Sequence, residues 1–334
     1  MKITVIGAGA IGGLVGGYLK LKDEDVSLVA RKECLGVIKE NGLTIQGARG
    51  AFNVKIDASE RLNEKPGLVI LATKTQDLKE AIEENFKFIK DAQVLTTQNG
   101  VRAEEITAQF IPRENIISSI VMFGATSLEP GKIVHNFEGS WLIARAFSKN
   151  DASLSKIGEN LNRIFPILVT EKIKGMKYLK VFVNANNCIP AILGLSMQEA
   201  FSDPALSRIS IAIWREGLDI VTKSGIELIS LPDFPVERVT KLTGLPQEEA
   251  AKIFSGIMAN LSKEPLYGSI LQSIKRNKPS EIDFINGEFV DLAKNNHLAS
   301  PLNEKLLELV HQVEKTKEFL SKEQLISLTK GLYN

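Results

Sequence analysis

Apolar residues in the first half of the chain come in short, β-branched runs separated by stretches of helical spacing. "KITVIGAG" (2–9) reads as a strand entering a turn, and "IGGLVGGYLKLK" (11–22) follows as a helix. "DVSLVAR" (25–31) is a second strand, and "PGLVILATK" (66–74) is an apolar run suited to a strand buried on both faces. A helix is predicted over 76–89, and strands over 92–100 and 114–127. "LTIQG" (43–47) and "AFNVKIDA" (51–58) read as a hairpin or edge pair, and "GKIVHNFEGSWLIARA" (131–146) as an antiparallel pair. Alternating strands and helices predict a parallel sheet covered on both faces.

From about residue 170 the 3.6-residue period stands alone. Helices are predicted over 177–194, 204–225, 246–263, 280–296 and 303–320. Pro204, Pro246, Pro279 and Pro301 each sit near a helix start, where a missing N–H costs little. The expected fold class is therefore α/β, a dinucleotide-binding domain over 1–170 followed by an all-helical substrate and catalytic domain over 171–334.

Composition narrows the function classes. Forty-one basic residues against 40 acidic ones leave a net charge of +1, which offers nothing to a polyanion, so nucleic acid is not expected as a partner. The glycine-rich start departs from a signal peptide, and no stretch is apolar enough to span a bilayer, so no membrane partner is expected. Cys34 and Cys188 lie far apart and suit a reducing compartment, and the expected location is cytoplasmic.

Gly7, Gly9 and Gly12 form GxGxxG between a strand and a helix, the context in which that motif binds a dinucleotide. Gly7 permits the turn, Gly9 admits a pyrophosphate, and Gly12 lets helix and strand approach. Ala8, Ala10 and Ile11 complete the phosphate loop. The second strand ends in Arg31 and Lys32, where an NAD enzyme usually places a carboxylate. A guanidinium suits a 2′-phosphate, so the cofactor expected is NADP(H), although such a pair can also be a solvated loop. Thr73 and Lys74 end one later strand, and Gln98, Asn99 and Gly100 the next, where ligands of open α/β sheets bind. Asn99-Gly100 also reads as a plain turn.

"KYLKVFVNANNCIPAILG" (177–194) is the least ordinary helix. At about 100° per residue, Asn184, Asn187 and Ala191 fall near 40°, 340° and 20° from Lys180, with Asn186 off the stripe near 240°. Phe182, Ile189, Ile192 and Leu193 occupy the other side. Pro190 frees the Asn186 carbonyl and predicts a kink. A polar stripe of this kind could face a ligand or simply solvent. His135, His297 and His311 show no acidic partner at triad or metal spacing, and no metal is expected. Trp141 and Trp214 read as core.

The chain resembles the ketopantoate (2-dehydropantoate) 2-reductase family over nearly its whole length, in "ITVIGAGAIGG", "ILATKTQD", "TTQNGV", "KVFVNANN" and "GSILQSIKRNKPSEIDFINGEFV". The last block, with Ser269, Glu281, Ile282, Asp283, Asn286 and Gly287, is the most specific. The resemblance implies a Rossmann domain followed by a helical domain, with substrate between them. It also implies that NADPH reduces the C2 ketone of 2-dehydropantoate to (R)-pantoate, a precursor of coenzyme A. Carried over by position, Lys180 is the general acid and Glu281 the catalytic carboxylate. Asn184 and Ser269 bind substrate, Lys74 and Asn99 line the cofactor crevice, and Arg31 is the basic residue after strand two.

The family often has a second asparagine followed by proline where this chain has Cys188, with Pro190 one place later; Asn187 is the geometric substitute. Residues 226–250 carry no family signature. Two alternatives therefore stand beside the main expectation: an NADPH-dependent paralogue reducing another 2-oxo or β-keto acid, and an NADPH-binding regulator without turnover. Lys180 and Glu281 argue against the regulator. The helical half could supply a homodimer interface.

Overall fold

The structure is a computed structural model that describes residues 1–260, 262 and 264–333, with Leu128 described by its backbone alone. It divides into two compact units: one holds residues 1–98 and 102–173, the other 99–101 and 174–334.

The strands of the first unit are β1 (Ile3–Ile6), β2 (Val26–Val29), β3 (Leu43–Gly47), β4 (Phe52–Val54), β5 (Asp57–Ser59), β6 (Leu68–Leu71), β7 (Gln93–Thr96), β8 (Ile116–Val121), β9 (Gly124–Glu129), β10 (Lys132–Phe137), β11 (Trp141–Arg145) and β12 (Ile167–Val169). Its helices are α1 (Ala10–Leu21), α2 (Lys32–Asn41), α3 (Leu78–Ile89), α4 (Ala103–Thr107) and α5 (Ala152–Leu161). The main sheet runs β12-β11-β8-β7-β6-β1-β2-β5 and is parallel except where β11 meets β8. Its side chains alternate between two cores, Val5, Leu28 and Ile70 entering one and Ile6, Val29 and Leu71 the other. Burial on both faces is why these strands read as continuous apolar runs.

A second sheet, β4-β3-β10-β9, is not hydrogen-bonded to the first, but its Leu43, Ile45 and Ile133 enter the same core as Val5 and Leu28. It revises three sequence expectations. The run 51–58 divides, β4 pairing with β3 as a hairpin and β5 joining β2 in the main sheet. The run 114–127 also divides into β8 and β9, in different sheets. β10 and β11 do not pair with each other; β10 lies antiparallel to β9 and β11 antiparallel to β8. Period-two patterning fixes which residues share a face but carries no information about which strand lies alongside.

The second unit is helical: α6 (Ile173–Ala185, whose first residue belongs to the first unit), α7 (Cys188–Leu193), α8 (Met197–Phe201), α9 (Pro204–Lys223), α10 (Val236–Gly244), α11 (Gln247–Ala259), α12 (Ser269–Lys275), α13 (Asn286–Asn295), α14 (Pro301–Thr316) and α15 (Lys322–Thr329). Of the helix expected over 246–263, Leu261 and Lys263 lie outside the described residues, as does Asn334 of the expected second domain. The span 226–250, which carried no signature, holds α10, packed on α9 and α11. Trp214 is buried with its indole N–H donating to the Phe182 carbonyl at 2.9 Å, and Trp141 is buried in the first unit.

Candidate active site

The glycine motif of the first unit has the geometry a pyrophosphate requires. Gly7 takes φ +106°, and a Cβ there would meet the Ala72–Thr73 backbone at 2.8 Å. A Cβ on Gly12 would stand 2.9 Å from the Ala72 methyl and closer still to the Gly7 carbonyl. Gly9 differs: a Cβ there meets nothing within 4 Å, so the space over it is open. Gly9 is also the N-cap of α1, with no side-chain cap and no acidic residue in the first turn. The helix ladder begins with Gly13 N–H to the Gly9 carbonyl at 2.8 Å, leaving the N–H groups of Ala10, Ile11 and Gly12 for an outside acceptor. Ala8 is buried, its carbonyl facing the Cys34 thiol at 3.7 Å.

Thr73 and Lys74 follow β6 beside this loop. The Thr73 hydroxyl is buried with no hydrogen-bond partner, a polar atom suited to a ligand. Gln98 is structural: its amide donates to the Leu71 and Thr73 carbonyls at 2.9 Å each, tying the two strand ends together. Arg31 is mostly exposed and pairs with Asp77 at 3.1 Å. The residues present thus fit a dinucleotide, by an uncapped helix start, an open glycine and an unpartnered hydroxyl.

In the second unit the stretch 177–194 is two helices rather than one kinked helix. α6 stops at Ala185 and α7 begins at Cys188, the break falling where Pro190 was expected to bend the chain. The Asn186 carbonyl accepts from the Ile189 N–H at 3.2 Å, so the freed group finds a local partner. Lys180, Asn184 and Asn187 are half-buried, while Leu179, Phe182, Ile189 and Ile192 are buried. Ala191, expected on the polar stripe, is fully buried, because the break ends the wheel after Ala185. Asn186 is buried too, off the stripe as expected.

Burial pulls the Lys180 ammonium down to about 8, with the Lys177 charge acting in the same direction and Glu281 opposing it. Glu281 is therefore a neighbour of Lys180, although the two are about a hundred residues apart in sequence. Asn184 donates to the Asn99 side-chain oxygen at 3.3 Å. Gly100 takes φ +81°, and a Cβ there would meet the Phe284 carbonyl at 2.4 Å. The Val101 N–H donates to Glu288 at 3.0 Å. Asn99-Gly100 is thus a turn, and also a presentation of Asn99 to Asn184. Ser269 is the exposed first residue of α12; Gly268 before it packs on Asn187, where a Cβ would lie 3.2 Å from the asparagine side chain. Cys188 is fully buried, its thiol pushed up to about 12 by burial and accepting from Asn286 at 3.8 Å.

Residues 3–146 match the family described as Ketopantoate reductase PanE/ApbA, and residues 172–314 match its C-terminal counterpart. The chain belongs to the ketopantoate reductase family. It is similar to a 2-dehydropantoate 2-reductase of Pyrococcus horikoshii, 34% identical over 320 residues, covering 94% of this chain and 98% of that one. A 2-dehydropantoate 2-reductase of Pyrococcus abyssi is 31% identical, covering 91% of this chain and 94% of its own. Among solved structures, the ternary complex of D-mandelate dehydrogenase with NADH and anilino(oxo)acetate is similar at TM-score 0.81 and 26% identity, covering 95% of this chain and 99% of that one. As a ketopantoate reductase family member the chain is an oxidoreductase acting on a CH–OH group. No helix among the described residues is long and apolar enough to cross a membrane.

Sequence reasoning missed several residues that lie around this candidate site. Lys177 stands three positions before Lys180, a spacing that shares a helix face and could have been noticed. Gly268, Glu288 and the acidic partners of His311 had no such signal. His311 was expected to lack acidic neighbours; instead Asp283 and Glu314 each lie 3.0 Å from its ring. Asp283 comes from a turn 28 residues earlier, which linear spacing does not reveal.

Proposed function

We propose that this chain uses NADPH to reduce the C2 ketone of 2-dehydropantoate to (R)-pantoate, a step toward pantothenate and coenzyme A. On this reading residues 1–170 form the NADP-binding domain and 171–334 the substrate and catalytic domain. The observation that carries it is Lys180, whose ammonium is lowered to about 8 beside Glu281. Such a group is charged near neutral pH and far more acidic than an ordinary lysine, which suits a proton donor.

When bound, the reduced nicotinamide supplies the hydride. Lys180 Nζ polarises the C2 carbonyl and passes its proton to the oxygen as negative charge develops there. Glu281 holds the ammonium in place or accepts a hydrogen bond from the substrate hydroxyl. Asn184, Asn187 and Ser269 bind carboxylate and hydroxyl without adding charge that would compete with Lys180. The loop Gly7, Ala8, Gly9, Ala10, Ile11 and Gly12 takes the pyrophosphate, through the N–H groups open at the start of α1 while the Gly7 N–H stays on the Val29 carbonyl, and Arg31 takes the 2′-phosphate. Thr73, Lys74 and Asn99 complete the cofactor's surroundings. A cytoplasmic location and a homodimer formed through the helical unit accompany this reading.

A second reading has support of its own: reduction of another 2-oxo acid, with NADH as donor. The likeness to D-mandelate dehydrogenase favours it, and so does Cys188, which is buried where relatives often have asparagine. The pure protein is tested with NADPH and NADH against 2-dehydropantoate and a panel of 2-oxo acids. Preferred NADPH oxidation with 2-dehydropantoate is expected. Turnover of a different 2-oxo acid alone selects the second reading.

A further inference from the structure

Glu281 does not sit on a regular helix. The helix expected over 280–296 begins only at Asn286, and residues 282–284 form a single tight turn ahead of it. Ile285, which joins the two, has φ −123° and ψ −89°. A carboxylate on such a segment keeps its place only if neighbouring groups hold the backbone, and α14 supplies them. Glu314 accepts the Ser280 N–H at 2.7 Å through one oxygen and bonds His311 Nδ1 at 3.0 Å through the other. His311 Nε2 bonds Asp283 at 3.0 Å. One turn of α14 thus grips the segment immediately before Glu281 and two residues after it.

We propose that His311 and Glu314 are positioning residues that clamp the 280–284 turn and thereby set the Glu281 carboxylate against Lys180. The inference rests on reading Lys180 as the proton donor. Both ring nitrogens of His311 face carboxylates, so both must donate, which requires the imidazolium form. Burial pulls this imidazole down, but hydrogen bonds and charge from Asp283 and Glu314 outweigh it and hold it above its ordinary value. The other elements packed on α14 place these polar groups away from His311, several at the start of the helix. Glu216 of α9 caps the Leu302 and Asn303 N–H groups, Cys188 of α7 meets Asn286, and Glu288 of α13 meets Val101. If the clamp loosens, Lys180 loses the neighbour that opposes its desolvation, and its ammonium becomes more acidic.

The test is His311→Gln, with Glu314→Gln as a milder partner. Glutamine at 311 cannot donate to both acids, whereas glutamine at 314 keeps an oxygen for Ser280 but loses the charge. Competitive acetylation across pH, read on the Lys180 peptide by mass spectrometry, follows the ammonium without requiring turnover. The expected result is a midpoint lowered by about half a pH unit or more in His311→Gln and less in Glu314→Gln. In turnover, the alkaline limb of 2-oxo acid reduction moves down with it and kcat falls about tenfold or more, while NADPH affinity is unchanged. An unshifted Lys180 midpoint in both folded variants overturns the proposal and leaves His311 a structural tie. A shifted midpoint in a protein that reduces no 2-oxo acid supports the clamp while defeating the reading above.

Discussion

In the first unit the groups we propose for the ligand are backbone N–H donors of one short stretch, Ala10–Gly12, at the end of the glycine loop. In the second they are the side chains of Asn99, Lys180, Asn184, Asn187 and Glu281, drawn from turns and helices far apart in sequence. The loop works by omission, since its glycines keep side chains out of the way and the helix start is left uncapped. The helical unit works by burial, placing an ammonium where water is scarce and letting one carboxylate and one second lysine tune it. Backbone recognition is local and tolerates variation around it, whereas a tuned side chain depends on every element that buries it.

The largest effect should come from breaking the tuned side. Lys180→Ala should lower turnover by about 10²–10⁴-fold with NADPH affinity little changed, and equal losses in both would contradict its role as proton donor. In the wild type, reduction should fall as pH rises through about 8, where the ammonium is lost. Stability should move the opposite way. The folded chain disfavours the charged form, so that cost is present below about 8 and is relieved as pH rises from there toward 10.5. Lys180→Met should therefore raise Tm by about 2–4 °C near neutral pH, with a gap that narrows in more alkaline buffer.

The loop is tested by two glycines with opposite surroundings. Gly9→Val should leave thermal unfolding unchanged and weaken dinucleotide binding about tenfold or more, because the open space over Gly9 is where the phosphates would lie. Gly12→Ala should instead lower stability by about 1–3 kcal/mol, because its methyl collides with the Gly7 carbonyl. Similar behaviour of the two in calorimetry would remove the distinction between ligand space and packing space.

A smaller effect concerns cofactor choice. Arg31→Ala should weaken NADPH about tenfold and NADH hardly at all, and an unchanged ratio of the two affinities would overturn the assignment to NADP(H). Asp77→Asn should do the reverse on a lesser scale, tightening NADPH about twofold by freeing the exposed guanidinium from its half-buried carboxylate partner. Fluorescence titration with both dinucleotides measures each.

The glycine motif and the alternating strands could be read directly because their physics is local. A tight turn needs a particular φ at Gly7, and a buried parallel strand needs apolar residues on both faces. The helical wheel was equally sound for Lys180 and Asn184 on α6, and it failed at Ala191 because the turn between α6 and α7 resets helical phase. The second sheet escaped notice because β10 pairs with β3 across more than eighty residues, and alternation says nothing of partners.

What residue order alone established was a dinucleotide loop followed by a helical half carrying an unusually polar helix. Both follow from periodicity and from what glycine and proline permit. Folding in three dimensions settled which polar groups come together: Glu281 within electrostatic reach of Lys180, Asn99 bonded to Asn184, and His311 between Asp283 and Glu314. The same folding made Lys180 acidic, since desolvation and the charges of Lys177 and Glu281 act through space, over distances that sequence separation does not encode.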